Sequence, residues 1–143
     1  MQPFDLVIRG GTVATATDSF RADVGIRGGT VAAIGEGLDK AKKEIDARGK
    51  LVLPGGVDSH SHIEQLSASG LMNADTFQSA TTAAAFGGTT TVISFAAQHV
   101  GMSLKTVVDE YHQYAERGAV TDYAFHMILA DGFQAHADVL RGE

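Results

Sequence analysis

The fold of this chain is decided by the stretch Pro54-Gly55-Gly56-Val57-Asp58-Ser59-His60-Ser61-His62-Ile63-Glu64. It opens on a Pro-Gly-Gly turn, and a short strand is predicted directly after the turn. Before the turn, short β-type runs are broken by glycine pairs, whereas longer helical and strand-like segments alternate after it. The 143 residues are therefore predicted to form two domains, residues 1–53 and residues 54–143.

Residues 1–53 are predicted to form a small antiparallel β module. Two strand-like runs, Ala22–Arg27 and Thr30–Ile34, flank Gly28-Gly29. Glycine accepts the positive φ angles that a two-residue hairpin turn requires, so these runs are predicted to form a hairpin. Further strands are predicted near residues 5–9, 44–46 and 50–53. Because short hairpins rarely carry chemistry, we expect this part to be structural.

The second part is predicted to be a β-α-β-α-β unit with parallel strands, because connections of helix length give right-handed parallel crossovers. The strands are expected near residues 57–63, 89–95 and 121–129, and the helices at 76–86 and from Ser103 to about Arg117. Asp75 is predicted to cap the first helix, with Gln78 as its reciprocal partner. Val107, Tyr111 and Ala115 recur on the apolar face of the second helix.

Composition excludes several classes of function. The chain carries 11 Lys and Arg against 17 Asp and Glu, a formal charge of −6, which disfavours binding to nucleic acid or to an anionic membrane surface. The chain has no cysteine, so disulfides, thiolate zinc sites and cysteine nucleophiles are excluded. With no secretory signal visible, we expect a cytoplasmic protein with neither a nucleic-acid nor a membrane partner.

His60 and His62 are the sharpest chemical signal. Residues i and i+2 of a strand point to the same face, so both imidazoles can approach one metal ion. Asp58 has the same parity and is predicted to orient one of these ligands. The pair follows a buried strand and precedes a loop, where α/β folds place active sites. Two solvated or hydrogen-bonded histidines without a metal remain the alternative at this point.

The other histidines carry weaker signals. His126 lies on a predicted strand and is expected to be a satisfied interior residue. His99 is expected in a loop and His112 on a helix surface. The run Gly87-Gly88-Thr89-Thr90 follows a helix instead of preceding one, so we interpret it as a turn and not as a phosphate site.

The decisive stretch resembles the amidohydrolase-superfamily signature P-G-x-[IV]-D-x-H-x-H. The acidic residue at this position, Glu64, resembles the residue that the dihydropyrimidinase and hydantoinase branch carries there. The sequences of residues 74–77, 87–91 and 122–127 are also similar to that branch. This resemblance implies an α/β fold, with an N-terminal β-sandwich portion followed by the first β/α units of a metal-dependent hydrolase (β/α)₈ barrel, a TIM barrel. It also implies hydrolysis of the cyclic amide C–N bond of dihydropyrimidines or hydantoins, by enzymes that are usually tetramers.

The resemblance also assigns roles to residues. Members of this branch hold two zinc ions that share a hydroxide and a carbamylated lysine, and His60 and His62 match ligands of the more buried ion. The loop after these histidines matches one that lines the substrate pocket, which makes Gln65, Leu66 and Leu71 the candidate substrate-loop residues.

The chain departs from this family in length. A complete barrel takes roughly 250 residues, and residues 55–143 supply three strands of the eight. The later lysine, histidines and aspartate of the family have no counterpart in the sequence. We therefore expect a truncated portion that holds at most one zinc ion weakly and is inactive alone. The alternative is a catalytically incompetent fragment or interaction module.

Overall fold

The computed structural model describes residues 4–67 and 69–142, so Met1–Pro3, Ala68 and Glu143, which the predicted domains and loop include, lie outside the described residues. The chain divides into two compact units after Pro54. The first unit contains β1 (Phe4–Ala14), β2 (Ser19–Arg27), β3 (Thr30–Gly35), β4 (Ala41–Asp46) and β5 (Leu51–Val52). The second contains β6 (Gly56–Ser61), α1 (Phe77–Phe86), β7 (Thr89–Ala97), α2 (Leu104–Glu116), β8 (Asp122–Ile128) and α3 (Gly132–Arg141).

The first unit is one five-stranded sheet in the order β3-β2-β1-β4, with β5 also paired to β1. The β2–β3 hairpin turns at Gly28 and Gly29, whose φ angles are 57° and 76°, so glycine is required there. The predicted antiparallel module is wrong in one respect, since β4 and β5 run parallel to β1. The reason is that the chain after β3 crosses from one edge of the sheet to the far side of β1. Arg9 of β1 donates to the carbonyls of Leu38 and Asp39 in this connection (2.7 and 3.1 Å).

The second unit is a parallel sheet in the order β6-β7-β8, covered by helices on one face. Its buried core lies between sheet and helices and includes Phe77, Val92, Ala96, Val107, Tyr111 and Ala115. The three predicted strands and their parallel order are confirmed, and so is the apolar face of α2. A β-rich N-terminal portion followed by β/α units is therefore the fold class of this chain. Within the described ranges, no helix has the length and apolarity needed to cross a membrane.

The start of α1 differs from the prediction by one residue. Thr76, and not Asp75, is the N-cap, and its side chain accepts a hydrogen bond from the Ser79 N–H (3.2 Å). Ser79 Oγ in turn accepts from the Thr76 N–H (3.0 Å), so Ser79 takes the reciprocal role predicted for Gln78. Asp75 instead accepts from the Ser79 hydroxyl (2.8 Å). The short side chain of Ser79 reaches back to the Thr76 N–H, so the capping box begins one residue after the predicted Asp75.

Candidate functional site

The candidate site lies on the face of the β6-β7-β8 sheet that points away from the helices, which we call the open face. Side chains alternate along β8, and Tyr123, Phe125 and Met127 pack into the core on the helix side. His126 therefore lies on the open face, where it is exposed and contacts Phe95 with ring centroids 5.2 Å apart. The prediction of an interior His126 is wrong, because the strand's alternation gives the buried positions to its odd-numbered neighbours.

His60 and His62 lie together at the carboxyl end of β6, with their rings on the same side. Their Nε2 atoms are 3.4 Å apart, and both side chains are exposed. Two nitrogen ligands of one tetrahedral zinc ion, each about 2.0–2.1 Å from the metal, stand about 3.4 Å from each other. The pair thus has the spacing of two ligands on one ion, and the residues fit the metal that the sequence suggests.

Phe95 of β7 supports both imidazole rings, and sequence reasoning missed this role. The His62 ring is stacked on Phe95 with an interplanar angle of 13° and a centroid distance of 4.9 Å. The His60 ring is tilted against the same phenyl group at 4.6 Å. The strand pattern of β7 places Phe95 on the open face of the sheet. The position of Phe95 beside the end of β6 depends on the register of β7 against β6, which the residues of one strand do not define.

Gln65 contacts the Nδ1 atom of His62. Its Oε1 lies 2.5 Å from His62 Nδ1, and because an amide oxygen only accepts, this contact favours the tautomer with the proton on Nδ1. This tautomer leaves the Nε2 lone pair available to a metal ion, in the direction of His60. Gln65 thus contacts His62 directly, and its predicted place in a substrate loop stays a prediction. Asp58 Oδ1 accepts from the backbone N–H of His60 (3.0 Å), so it acts on the main chain and not on a ring.

The predicted substrate loop is a short hairpin beside His62. Leu66 and Met72 form an antiparallel bridge, and Asn73 N–H donates to Gln65 O (3.1 Å). Leu71 is 72% exposed next to the turn, and Leu66 is partly exposed on the adjoining strand. The pocket at His62 is lined by Gln65, Ser67 and Asn73, whereas Leu66 lines a different pocket together with Tyr111 and Tyr114 of α2. The contact of Leu66 and Leu71 with a substrate stays a prediction.

The remaining candidate ligands are not brought to this pair. Across residues 4–67 and 69–142, no three His, Asp or Glu side chains come together as a metal-binding group. His112 is on the surface of α2, as predicted, and packs against Phe125 on the helix side of the sheet. His99 is exposed after β7, which agrees with the loop position expected for it.

Comparisons with known proteins identify the family of this chain. Residues 43–128, more than half of the chain, match the sequence model of the amidohydrolase family. D-hydantoinase of Streptomyces coelicolor is 49% identical over 131 residues, which cover 87% of this chain and 28% of that protein. Dihydropyrimidinase of Rattus norvegicus is 38% identical over 130 residues, covering 87% and 25%.

A solved structure shows the same likeness. The crystal structure of D-hydantoinase from Bacillus sp. AR9 superposes with a TM-score of 0.87 at 42% identity, covering 95% of this chain and 30% of that one. The resemblance to the N-terminal portion of hydantoinases and dihydropyrimidinases is confirmed. The chain spans less than a third of the length of these relatives.

Proposed function

This chain belongs to the amidohydrolase family, and from that premise we propose that it supplies the first two metal ligands of a hydrolase acting on cyclic amides. The observation that carries the proposal is the His60–His62 pair, with its Nε2 atoms 3.4 Å apart at the carboxyl end of a parallel strand. The relatives named D-hydantoinase and dihydropyrimidinase support hydantoins and dihydropyrimidines as the substrate class.

In this proposal, zinc is the metal, and His60 and His62 hold it through Nε2. When bound, zinc polarises a carbonyl group and makes water a stronger nucleophile at neutral pH. The chain's own residues prepare the site: Gln65 keeps the His62 proton on Nδ1, and Phe95 holds both rings in position. Asp58 fixes the backbone of His60.

The proposal also covers the residues that contact the substrate and the number of metal ions that this chain can hold. Leu66 and Leu71 would contact the ring substituent of the cyclic amide, because both are exposed apolar side chains of the loop that follows His62. Two histidines leave at least two positions of a tetrahedral ion open, so these residues alone would hold one ion weakly. For the whole enzyme we also propose two zinc ions, a complete TIM barrel, a tetramer and a cytoplasmic location.

A chimera tests the proposed function. The segment of Streptomyces coelicolor D-hydantoinase that aligns with this chain, 49% identical to it, is replaced by the corresponding residues of this chain. We expect the chimera to hydrolyse hydantoin with added Zn²⁺ or Mn²⁺. Because a lost ligand opens the metal shell, His60→Ala in the chimera should lower kcat/KM by about a hundredfold or more, which corresponds to at least 2.7 kcal/mol of transition-state stabilisation.

His112→Ala is the matched control, since His112 lies on the helix side of the sheet. It should leave hydrolysis close to that of the parent chimera. A folded, metal-loaded chimera that hydrolyses no cyclic amide would contradict the substrate class. Equal turnover in the His60→Ala chimera would contradict the role of the histidine pair.

A further inference from the structure

Ser94 is a fully buried polar residue in the middle of β7, with an exposed fraction of 0%. Its hydroxyl donates to the carbonyl of Ser61 (3.2 Å) and accepts from the backbone N–H of Ile63 (3.2 Å). These two groups flank His62 on either side. One hydroxyl on β7 therefore holds both peptide groups that fix the backbone of the candidate ligand.

The two hydrogen bonds of Ser94, which we call the Ser94 bridge, lie where the regular pairing of β6 with β7 ends. The register between β6 and β7 shifts between Asp58 and Ser61, and β6 ends at Ser61, so His62 lies just beyond the strand predicted to contain it. Glu64, two residues later, has a φ of 47°, the one positive φ of a non-glycine residue in the described chain. The regular pairing of β6 with β7 thus ends at Ser61, directly before His62.

The other groups around His62 act on its ring or its carbonyl. Asn73 Nδ2 donates to the His62 carbonyl (3.1 Å), Gln65 accepts from Nδ1, and Phe95 lies under the ring. Ser94 differs from these groups because it holds the backbone from within the core. Both Ser94 and the side chain of Ile63 are buried. Without this hydroxyl, the buried N–H of Ile63 loses its acceptor and the Ser61 carbonyl loses a donor, so that the Asn73 bond to the His62 carbonyl is left to hold this backbone.

We propose that Ser94 is a positioning residue for the metal ligand His62, acting through the backbone on both sides of it; this inference rests on the proposed function. The bridge keeps His62 Nε2 near His60 Nε2, so that a metal ion meets two ligands already in place. Removing it leaves both imidazoles intact, but the ion must then order the His62 segment when it binds. The expected consequence is weaker metal binding in a protein that still contains every ligand.

Thr81 offers a matched control in the same unit. It is also fully buried, and its hydroxyl also links two backbone groups, donating to Phe77 O and accepting from Val120 N–H (3.0 Å). That bridge joins α1 to the chain before β8, and neither group flanks a candidate ligand. Thr81→Val and Ser94→Ala therefore remove comparable buried hydrogen bonds, but only the second acts on His62.

The experiment measures Zn²⁺ affinity of the full chain by competition with a chromophoric chelator, and amide hydrogen exchange in the same samples. Ser94→Ala should weaken Zn²⁺ binding by about tenfold or more and speed exchange at Ile63, as expected for loss of a partner that orients a ligand. Ser94→Thr keeps the hydroxyl and should restore affinity. Thr81→Val should leave Zn²⁺ affinity unchanged, although it lowers the free energy of unfolding.

The outcomes separate this inference from the proposed function. Unchanged affinity in Ser94→Ala, with binding lost in His62→Ala, would overturn the positioning role and leave the histidine pair standing. Equal weakening in Ser94→Ala and Thr81→Val would also overturn it, since general loosening would then explain the effect. Unchanged affinity in His62→Ala would overturn the proposed metal pair and this inference together. If Ser94→Ala does not fold, Ser94→Cys, whose sulfur is a weak hydrogen-bonding atom, takes its place under the same criteria.

Discussion

At the scale of single residues, the site depends on which atom each partner offers to the histidines. Gln65 has its amide oxygen on His62 Nδ1, so in the proposed site the Nε2 atom of His62 is the one that faces the metal ion. The shared direction of His60 and His62 could be predicted from strand parity. The roles of Gln65 and Phe95 could not, because they depend on a turn after β6 and on the register of β7, which alternation along one strand does not define.

Replacing Gln65 should change metal binding without removing a ligand. In Gln65→Leu the Nδ1 proton loses its acceptor, so the productive tautomer and ring orientation are no longer favoured. We expect Zn²⁺ affinity to fall by about tenfold. Gln113→Leu, on the exposed surface of α2, is the control and should bind as the parent does. Equal affinity in the parent and Gln65→Leu, measured by chelator competition, would contradict this role.

At the scale of elements, the first strands of the second unit approach each other too closely for any side chain at Gly55. A Cβ built there would lie 2.0–2.7 Å from the Thr90 side chain, at the start of β7. The Pro-Gly-Gly turn is therefore a packing requirement of the β6–β7 pair as well as a turn signal. The sequence pattern predicted the turn, but the close approach to Thr90 depends on two segments more than 30 residues apart.

Gly55→Ala should accordingly destabilise the β6–β7 pair. We expect a loss of about 1–3 kcal/mol in the free energy of unfolding, measured by urea titration, because the added methyl group overpacks the contact with Thr90. Gly132→Ala is the control, since a Cβ at Gly132 meets nothing within 4 Å and its backbone is not in the left-handed region. Unfolding of both variants at the same urea concentration would contradict the packing requirement at Gly55.

The sheet of the first unit is predicted to weaken in acid. The N–H of Gly10 and the guanidinium of Arg9 lower the pKa of Asp23, and Arg9 lowers the pKa of Glu44. The Arg48 side chain lowers the pKa of Asp46 to about 2. A lowered folded-state pKa contributes stability that is present above the unfolded value, near 3.8 for Asp, and is lost as the pH falls through the folded value.

The test compares urea unfolding at neutral pH and at about pH 3. The parent should be less stable in acid, whereas Asp23→Asn should be less stable at neutral pH and lose less on acidification. Asp18→Asn, at an exposed turn, is the control and should keep the parent's pH dependence. A parent whose stability does not fall between these two conditions would contradict the role of these carboxylates.

At the scale of the whole molecule, the change of sequence character at Pro54 coincides with the change from one compact unit to the next. Hydrophobic period and glycine pairs were enough to predict the β6-α1-β7-α2-β8 order, since each element follows from its own residues. The parallel position of β4 beside β1 could not be predicted, because it involves pairing and contacts between distant segments, such as those of Arg9 with the carbonyls of residues 38 and 39.

The sheet of the second unit is predicted to promote self-association. In the described chain, β6 and β8 each pair only with β7, so each has one unpaired edge. We expect sedimentation velocity to show larger species as concentration rises. Ala124→Lys, which puts a charge on the exposed face of the edge strand β8, should reduce them, whereas Ala137→Lys on α3 should not. A parent that sediments as a monomer throughout would contradict this prediction.

The metal pair is tested most directly by locating the ion. Crystals of the chain soaked in Zn²⁺, with diffraction recorded at the zinc absorption edge, give an anomalous map that shows zinc atoms alone. We expect a peak about 2.0–2.1 Å from Nε2 of both His60 and His62, which disappears in His62→Ala. A peak on Nδ1 of either ring, a peak at other residues only, or no peak at this pair would contradict it.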